Sequence, residues 1–94
     1  MKINETAKEH YAWLETMGWN KTNALESLAL ITSEIGEAVN ECRGENPTEN
    51  FKVELADIIL RTFGLAEQHG IDLEAEIKNK MEINFKRGTR GRLK

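Results

Sequence analysis

Residues 23–70 read NALESLALITSEIGEAVNECRGENPTENFKVELADIILRTFGLAEQHG. In the first half Leu25, Leu28, Thr32, Ile35, Val39 and Cys42 recur at spacings of three and four. That is the period of one helix face, a bundle seam marred only by Thr32. Asn23 followed by Glu26 has the form of a capping box, and Gly44 is a stop signal. The pattern predicts a helix over 23–43, roughly 30 Å long. Gly44, Asn46 and Pro47 then make a turn, because proline cannot continue a helix. A further helix is predicted over 49–69, ended by Gly70. Its middle (Val53, Leu55, Ala56, Ile58, Ile59, Leu60, Phe63, Leu65) is apolar nearly all round, which marks a helix buried on most sides. The short turn makes the two helices antiparallel neighbours.

Upstream, Asn4 is the expected cap of a first helix that runs to Met17 and stops at Gly18, with Ala7, Tyr11 and Leu14 as its apolar stripe. Downstream, Asp72 caps a fourth helix, and Glu74 and Glu76 favour its positive end. Leu73, Ile77, Met81 and Phe85 form its apolar row, and it runs to Arg87. One proline and two valines suit an all-helical chain. The expectation is an all-α, four-helix bundle forming a single domain over 1–94. Residues 1–22 make an N-terminal helix and loop, 23–87 the other helices, and 88–94 a basic tail that Gly88 and Gly91 render flexible. Three partners in a chain of 94 residues can hardly cover the third helix, so a homo-oligomer built through helices two and three is expected.

Composition narrows the class. Hydrophobic residues are 39% and charged residues 31%, the mix of an ordinary soluble globular domain. No run approaches the ~18 apolar residues of a membrane span. The stretch MKINETAKEH has no apolar h-region of the secretory type. Cys42 is the only cysteine, which excludes an internal disulfide and a multi-cysteine zinc site and suits a reducing cytoplasm; its place in the seam suggests a core residue. The net charge is −3, yet residues 86–94 (KRGTRGRLK) hold five basic residues and no acid. The acidic body argues against broad nucleic-acid binding.

Two acidic pairs carry the chemistry. Glu34 and Glu37 are three apart on the second helix, and Glu54 and Asp57 repeat that spacing on the third. Counted from the turn, the pairs lie at nearly the same height, so four carboxylates can converge across one groove. Crowding like charges is costly without a cation. Oxygen-only donors select a hard divalent ion, which completes its shell with water and phosphate. Mg²⁺, with Mn²⁺ as a substitute, acting on a phosphorylated small molecule is the expectation. E-x-x-E pairs also arise on solvated faces, and Glu41 and Glu45 are read that way. On the fourth helix Lys80, Asn84 and Arg87 follow i, i+4, i+7 on one face. They suit phosphate oxygens, although by spacing alone a solvated border of an amphipathic helix is the better account. Trp13 and Trp19 fall outside the apolar rows and are the candidates for stacking on a flat ring, a base if the ligand is the nucleotide that the resemblance below implies.

Glu34-Ile35-Gly36-Glu37, then sixteen residues, then Glu54-Leu55-Ala56-Asp57, Gly70-Ile71-Asp72-Leu73-Glu74 and Lys80-x-x-x-Asn84-x-x-Arg87 together resemble the MazG-like nucleoside triphosphate pyrophosphohydrolases. The resemblance covers residues 25–87. It implies an all-α, Mg²⁺-dependent enzyme, a dimer or dimer of dimers, that cleaves a nucleoside triphosphate between the α and β phosphates. It implies Glu34, Glu37, Glu54 and Asp57 as metal ligands and Lys80, Asn84 and Arg87 near the phosphates. Glu34 and Glu37 both stand as candidates for the base that activates water. Phosphoribosyl-ATP pyrophosphohydrolases and dimeric dUTPases share the acids; the short link between the pairs and the Lys/Asn/Arg ending look more MazG-like. An expectation of another class is a non-enzymatic helical interaction module with a basic tail.

Overall fold

The computed structural model describes residues 2–88, and within them the chain is four α-helices: α1 (Ile3–Met17), α2 (Ala24–Asn40), α3 (Phe51–Gln68) and α4 (Leu73–Arg87). No strand occurs among the described residues. The basic tail beyond Gly88 lies outside them.

Local signals explain most of the boundaries. Gly18 ends α1 with φ of 72°, the left-handed conformation that costs glycine least. The Asn23–Glu26 capping box is complete: each side chain accepts the other residue's backbone N–H, at 2.8 and 2.9 Å. The Asp72 side chain accepts the Ala75 N–H at 3.1 Å. Asn4, however, does not cap α1. Lys2 takes that position without a side-chain bond, and Asn4 sits inside the helix. Helix α2 also stops short of 43. The Glu41 carbonyl accepts from the Thr48 N–H, and its carboxylate accepts from the Thr48 hydroxyl and the Asn50 amide. Glu41 is thus a brace across the α2–α3 turn rather than a solvated acid.

Helix α3 is the centre of the molecule, flanked by α1 and α2. Gly64 and Ala66 bury where the flanking helices approach, and Ala7 of α1 buries opposite. Helix α4 packs on α1 at its own N-terminal end, and every residue from Lys78 to Gly88 is exposed. The described chain is therefore three packed helices with a fourth projecting from one end.

The expected seam of α2 does not face α3. Leu25 is 77% exposed and Val39 59%, and Leu28, Thr32, Ile35 and Cys42 are exposed too. The inward row is its neighbour by one residue: Ala24, Ser27, Ile31, Glu34, Ala38 and Glu41. One residue turns the helix by about 100°, enough to exchange faces. Small residues in the inward row let α3 come close, and the more apolar row is left outside. Cys42 is accordingly exposed rather than a core residue. On α3, Val53, Leu55 and Ile59 are exposed, and so are Met81 and Phe85 on α4.

Candidate functional site

The inward register of α2 is what places the acids. Glu34 occupies the row facing α3, and Glu54 and Asp57 lie a turn apart on the facing side of α3. Carboxylate oxygens of Glu34, Glu54 and Asp57 fall within 4.8 Å of one another, and all three residues are half-buried. The expected convergence of the two pairs is therefore present for three of the four acids. Glu37 is exposed and stands outside that cluster, near enough for its charge to act on Glu34.

Electrostatics reflect the crowding. Partial burial, then the charges of Asp57 and Glu37, push the Glu34 carboxyl above its usual range, and the Arg61 guanidinium opposes the shift. Arg61 reaches across the groove, its Nη2 3.3 Å from Glu34 Oε1. Asn50 donates to Glu54 at 3.0 Å and orients that carboxylate.

Beside the cluster lies a cavity of about 660 Å³ between α1, the α1–α2 loop and α3. Asp57 and Arg61 line its acidic end, and Trp13, Trp19, Tyr11 and Asn20 line the other walls. Trp13 and Trp19 meet edge to face with centroids 5.3 Å apart, and His10 lies 5.9 Å from Trp13. Gln68 holds the loop, donating to the Thr22 carbonyl at 2.7 Å and the Asn20 carbonyl at 3.3 Å. The Asn20 amide donates to the Tyr11 hydroxyl at 3.5 Å. The two tryptophans singled out from sequence thus share one cavity with Asp57.

Lys80, Asn84 and Arg87 are not brought to the acids. All three are exposed on the projecting part of α4, where Arg87 donates to Asn84 at 3.3 Å.

Sequence reading passed over Arg61, whose signal is its spacing of four from Asp57 and seven from Glu54 on one helix face. Gln68 and Asn20 carry no periodic signal, because Gln68 meets loop carbonyls and Asn20 lies in the loop itself.

The donors fit a hard cation. Every group in the cluster offers oxygen, no histidine or cysteine joins it, and the mutual repulsion seen at Glu34 is what a divalent ion would relieve. None of the described helices is long and apolar enough to cross a membrane. Comparison with family models, with characterised proteins and with solved structures finds no match to this chain.

Proposed function

We propose that the chain is a Mg²⁺-dependent nucleoside triphosphate pyrophosphohydrolase, converting a nucleoside triphosphate and water to the monophosphate and pyrophosphate. The observation that carries the reading is the meeting of three carboxylates beside a cavity that one of them, Asp57, lines and whose other walls hold two tryptophans. An anionic chain and a flat heteroaromatic ring require those two environments side by side.

In this reading Glu34, Glu54 and Asp57 hold the cation, and Glu37 joins them from the rim. The bound ion supplies neutralisation of triphosphate charge and acidification of a water. Glu34 and Glu37 are the candidates to accept the proton of the attacking water. Trp13 and Trp19 take the base. Water attacks the α phosphorus, the α–β bridge bond breaks, and pyrophosphate leaves.

The exposed rows of α2 and α3 support self-association as part of this proposal. Leu25, Leu28, Val39, Val53 and Ile59 are exposed apolar side chains that a second copy can bury. Since α4 leaves Lys80, Asn84 and Arg87 in solvent within one chain, their contact with phosphate requires α4 of that second copy. The same exposed rows also favour the alternative, an interaction module without catalysis. A cytoplasmic setting belongs to the proposal with the enzyme.

The deciding experiment incubates the pure protein with a panel of nucleoside triphosphates and Mg²⁺ and resolves the products. Monophosphate plus pyrophosphate supports the reading. Diphosphate plus phosphate rejects its regiochemistry, and no turnover of any triphosphate leaves the interaction module.

A further inference from the structure

Arg61 follows Asp57 by four residues and Glu54 by seven, so the three share one face of α3. Its Nη2 meets Glu34 Oε1 at 3.3 Å, where the Glu34 side chain is only 12% exposed. Its Nε–H is buried and finds no hydrogen-bond partner among the described residues. A buried donor left unmet is costly, and arginine brings five N–H donors that normally fork onto a carboxylate. The pair with Glu34 is therefore one in which the guanidinium is held by charge and poorly served by hydrogen bonds. Among the described residues, Arg61 is also the only cation paired with any acid of the cluster. It lines the cavity that Asp57 shares with the tryptophans.

We infer that Arg61 is a displaceable counter-ion of the carboxylate cluster, holding a divalent cation's place at Glu34 and turning toward the α1–α3 cavity when that cation binds. The inference rests on the metal-binding part of the proposed function. Glu34 cannot serve a doubly charged ion and keep a guanidinium at 3.3 Å without bringing two cations together. The singly charged partner, on a long flexible stem and with an unmet donor, is the one that moves. In the cavity its donors can meet an anionic or carbonyl oxygen of the nucleotide. Arg61 is then a positioning residue that links cation binding to nucleotide binding.

The test follows the Arg61 Nε–H by nuclear magnetic resonance while Mg²⁺ is added to the wild-type protein without nucleotide. The backbone amides of Glu34 and Asp57 should shift with Mg²⁺. With the same midpoint the Arg61 Nε–H signal should shift and exchange faster with water, as the group leaves its buried position. In parallel, Arg61→Gln should bind Mn²⁺ about fivefold more tightly than wild type, the order expected from losing one partly exposed competing ion pair. At saturating Mn²⁺ the same variant should bind a non-hydrolysable triphosphate analogue more weakly. Arg61→Lys, which keeps the charge, serves if the glutamine variant does not fold, and should retain wild-type Mn²⁺ affinity within about twofold. An Arg61 Nε–H signal that stays put while the Glu34 and Asp57 amides saturate overturns the inference and leaves the metal site standing. So does an unchanged or weaker Mn²⁺ affinity in Arg61→Gln. No response of any of these signals to Mg²⁺ overturns the metal reading itself, and the inference with it.

Discussion

Asn4 and Glu74, at opposite ends of the chain, each accept the other's backbone N–H through a side-chain oxygen, both at 3.1 Å. Asn4 adds a 2.7 Å bond from its amide to Asp72, the cap of α4, and this bond leads the lowering of the Asp72 pKa. The clasp is the polar part of what ties α4 to the remaining helices. Asn4→Ala should cost about 1–2 kcal/mol, the scale of a lost cap. The loss should be local: hydrogen exchange should show α4 amides losing protection while those in the middle of α3 keep theirs.

At Gly64 the side chains of α1 come close to the α3 backbone. A Cβ there would lie 2.9 Å from Leu14 Cδ1 and 3.7 Å from His10 Cδ2. Gly64→Ala trades this clash with a movable leucine end against the helix propensity that alanine gains, about 1 kcal/mol, so its melting temperature should change little. Gly64→Val has no such refuge and should destabilise by about 1–3 kcal/mol in denaturant titration.

Asp57→Asn keeps the side-chain volume and removes a charge. It should abolish Mg²⁺-dependent hydrolysis, leave the helical circular dichroism intact, and raise the melting temperature of the metal-free protein by relieving repulsion at Glu34. Retention of wild-type turnover would place the metal elsewhere.

The raised pKa of Glu34 has a sign that can be checked. A group whose folded pKa is raised favours folding below its unfolded value, here 4.5, and that contribution is lost as pH rises through the folded value. In metal-free buffer the stability of Glu34→Gln relative to wild type should therefore improve on going from about pH 4 to about pH 7. With saturating Mg²⁺ the order should reverse at the upper pH, because the ionised carboxylate is then a ligand.

The outward row of α2 makes self-association testable by charge. Leu28→Glu and Val39→Glu replace residues already 52% and 59% exposed, so a single chain tolerates them. Sedimentation should show the wild type above the 10.7 kDa of one chain at micromolar concentration and the double variant close to it.

Lys80→Ala should weaken nucleotide binding or turnover by about 1–3 kcal/mol, the scale of a charged hydrogen bond. Lys78→Ala, on another face of α4, should do little. Because Lys80 stands in solvent within its own chain, inactive Asp57→Asn and weakened Lys80→Ala proteins should restore activity when mixed. Assays of the separate and mixed proteins decide this, and equal losses at Lys78 and Lys80 would point to general electrostatics instead.

Residue spacing by itself determined four helices, their stops at Gly18 and Gly70, the capping box at Asn23 and the cap at Asp72. It also placed Glu34 opposite Glu54 and Asp57, because height along two antiparallel helices is counted from the bend that joins them. These are local or nearly local properties. The tertiary structure decided which face of α2 turns inward. Hydrophobicity pointed to the Leu25–Val39 row, but packing on α3 turned inward the row beside it, in which Ala24, Ser27 and Ala38 are small, and that choice carries Glu34 into the groove. Packing likewise moved Asn4 from its expected cap to α4, turned Glu41 into a brace and set Arg61 against Glu34. It also left Lys80, Asn84 and Arg87 away from the acids. Each of these depends on contacts between residues distant in sequence, and periodicity along one helix contains no term for the shape of its neighbour.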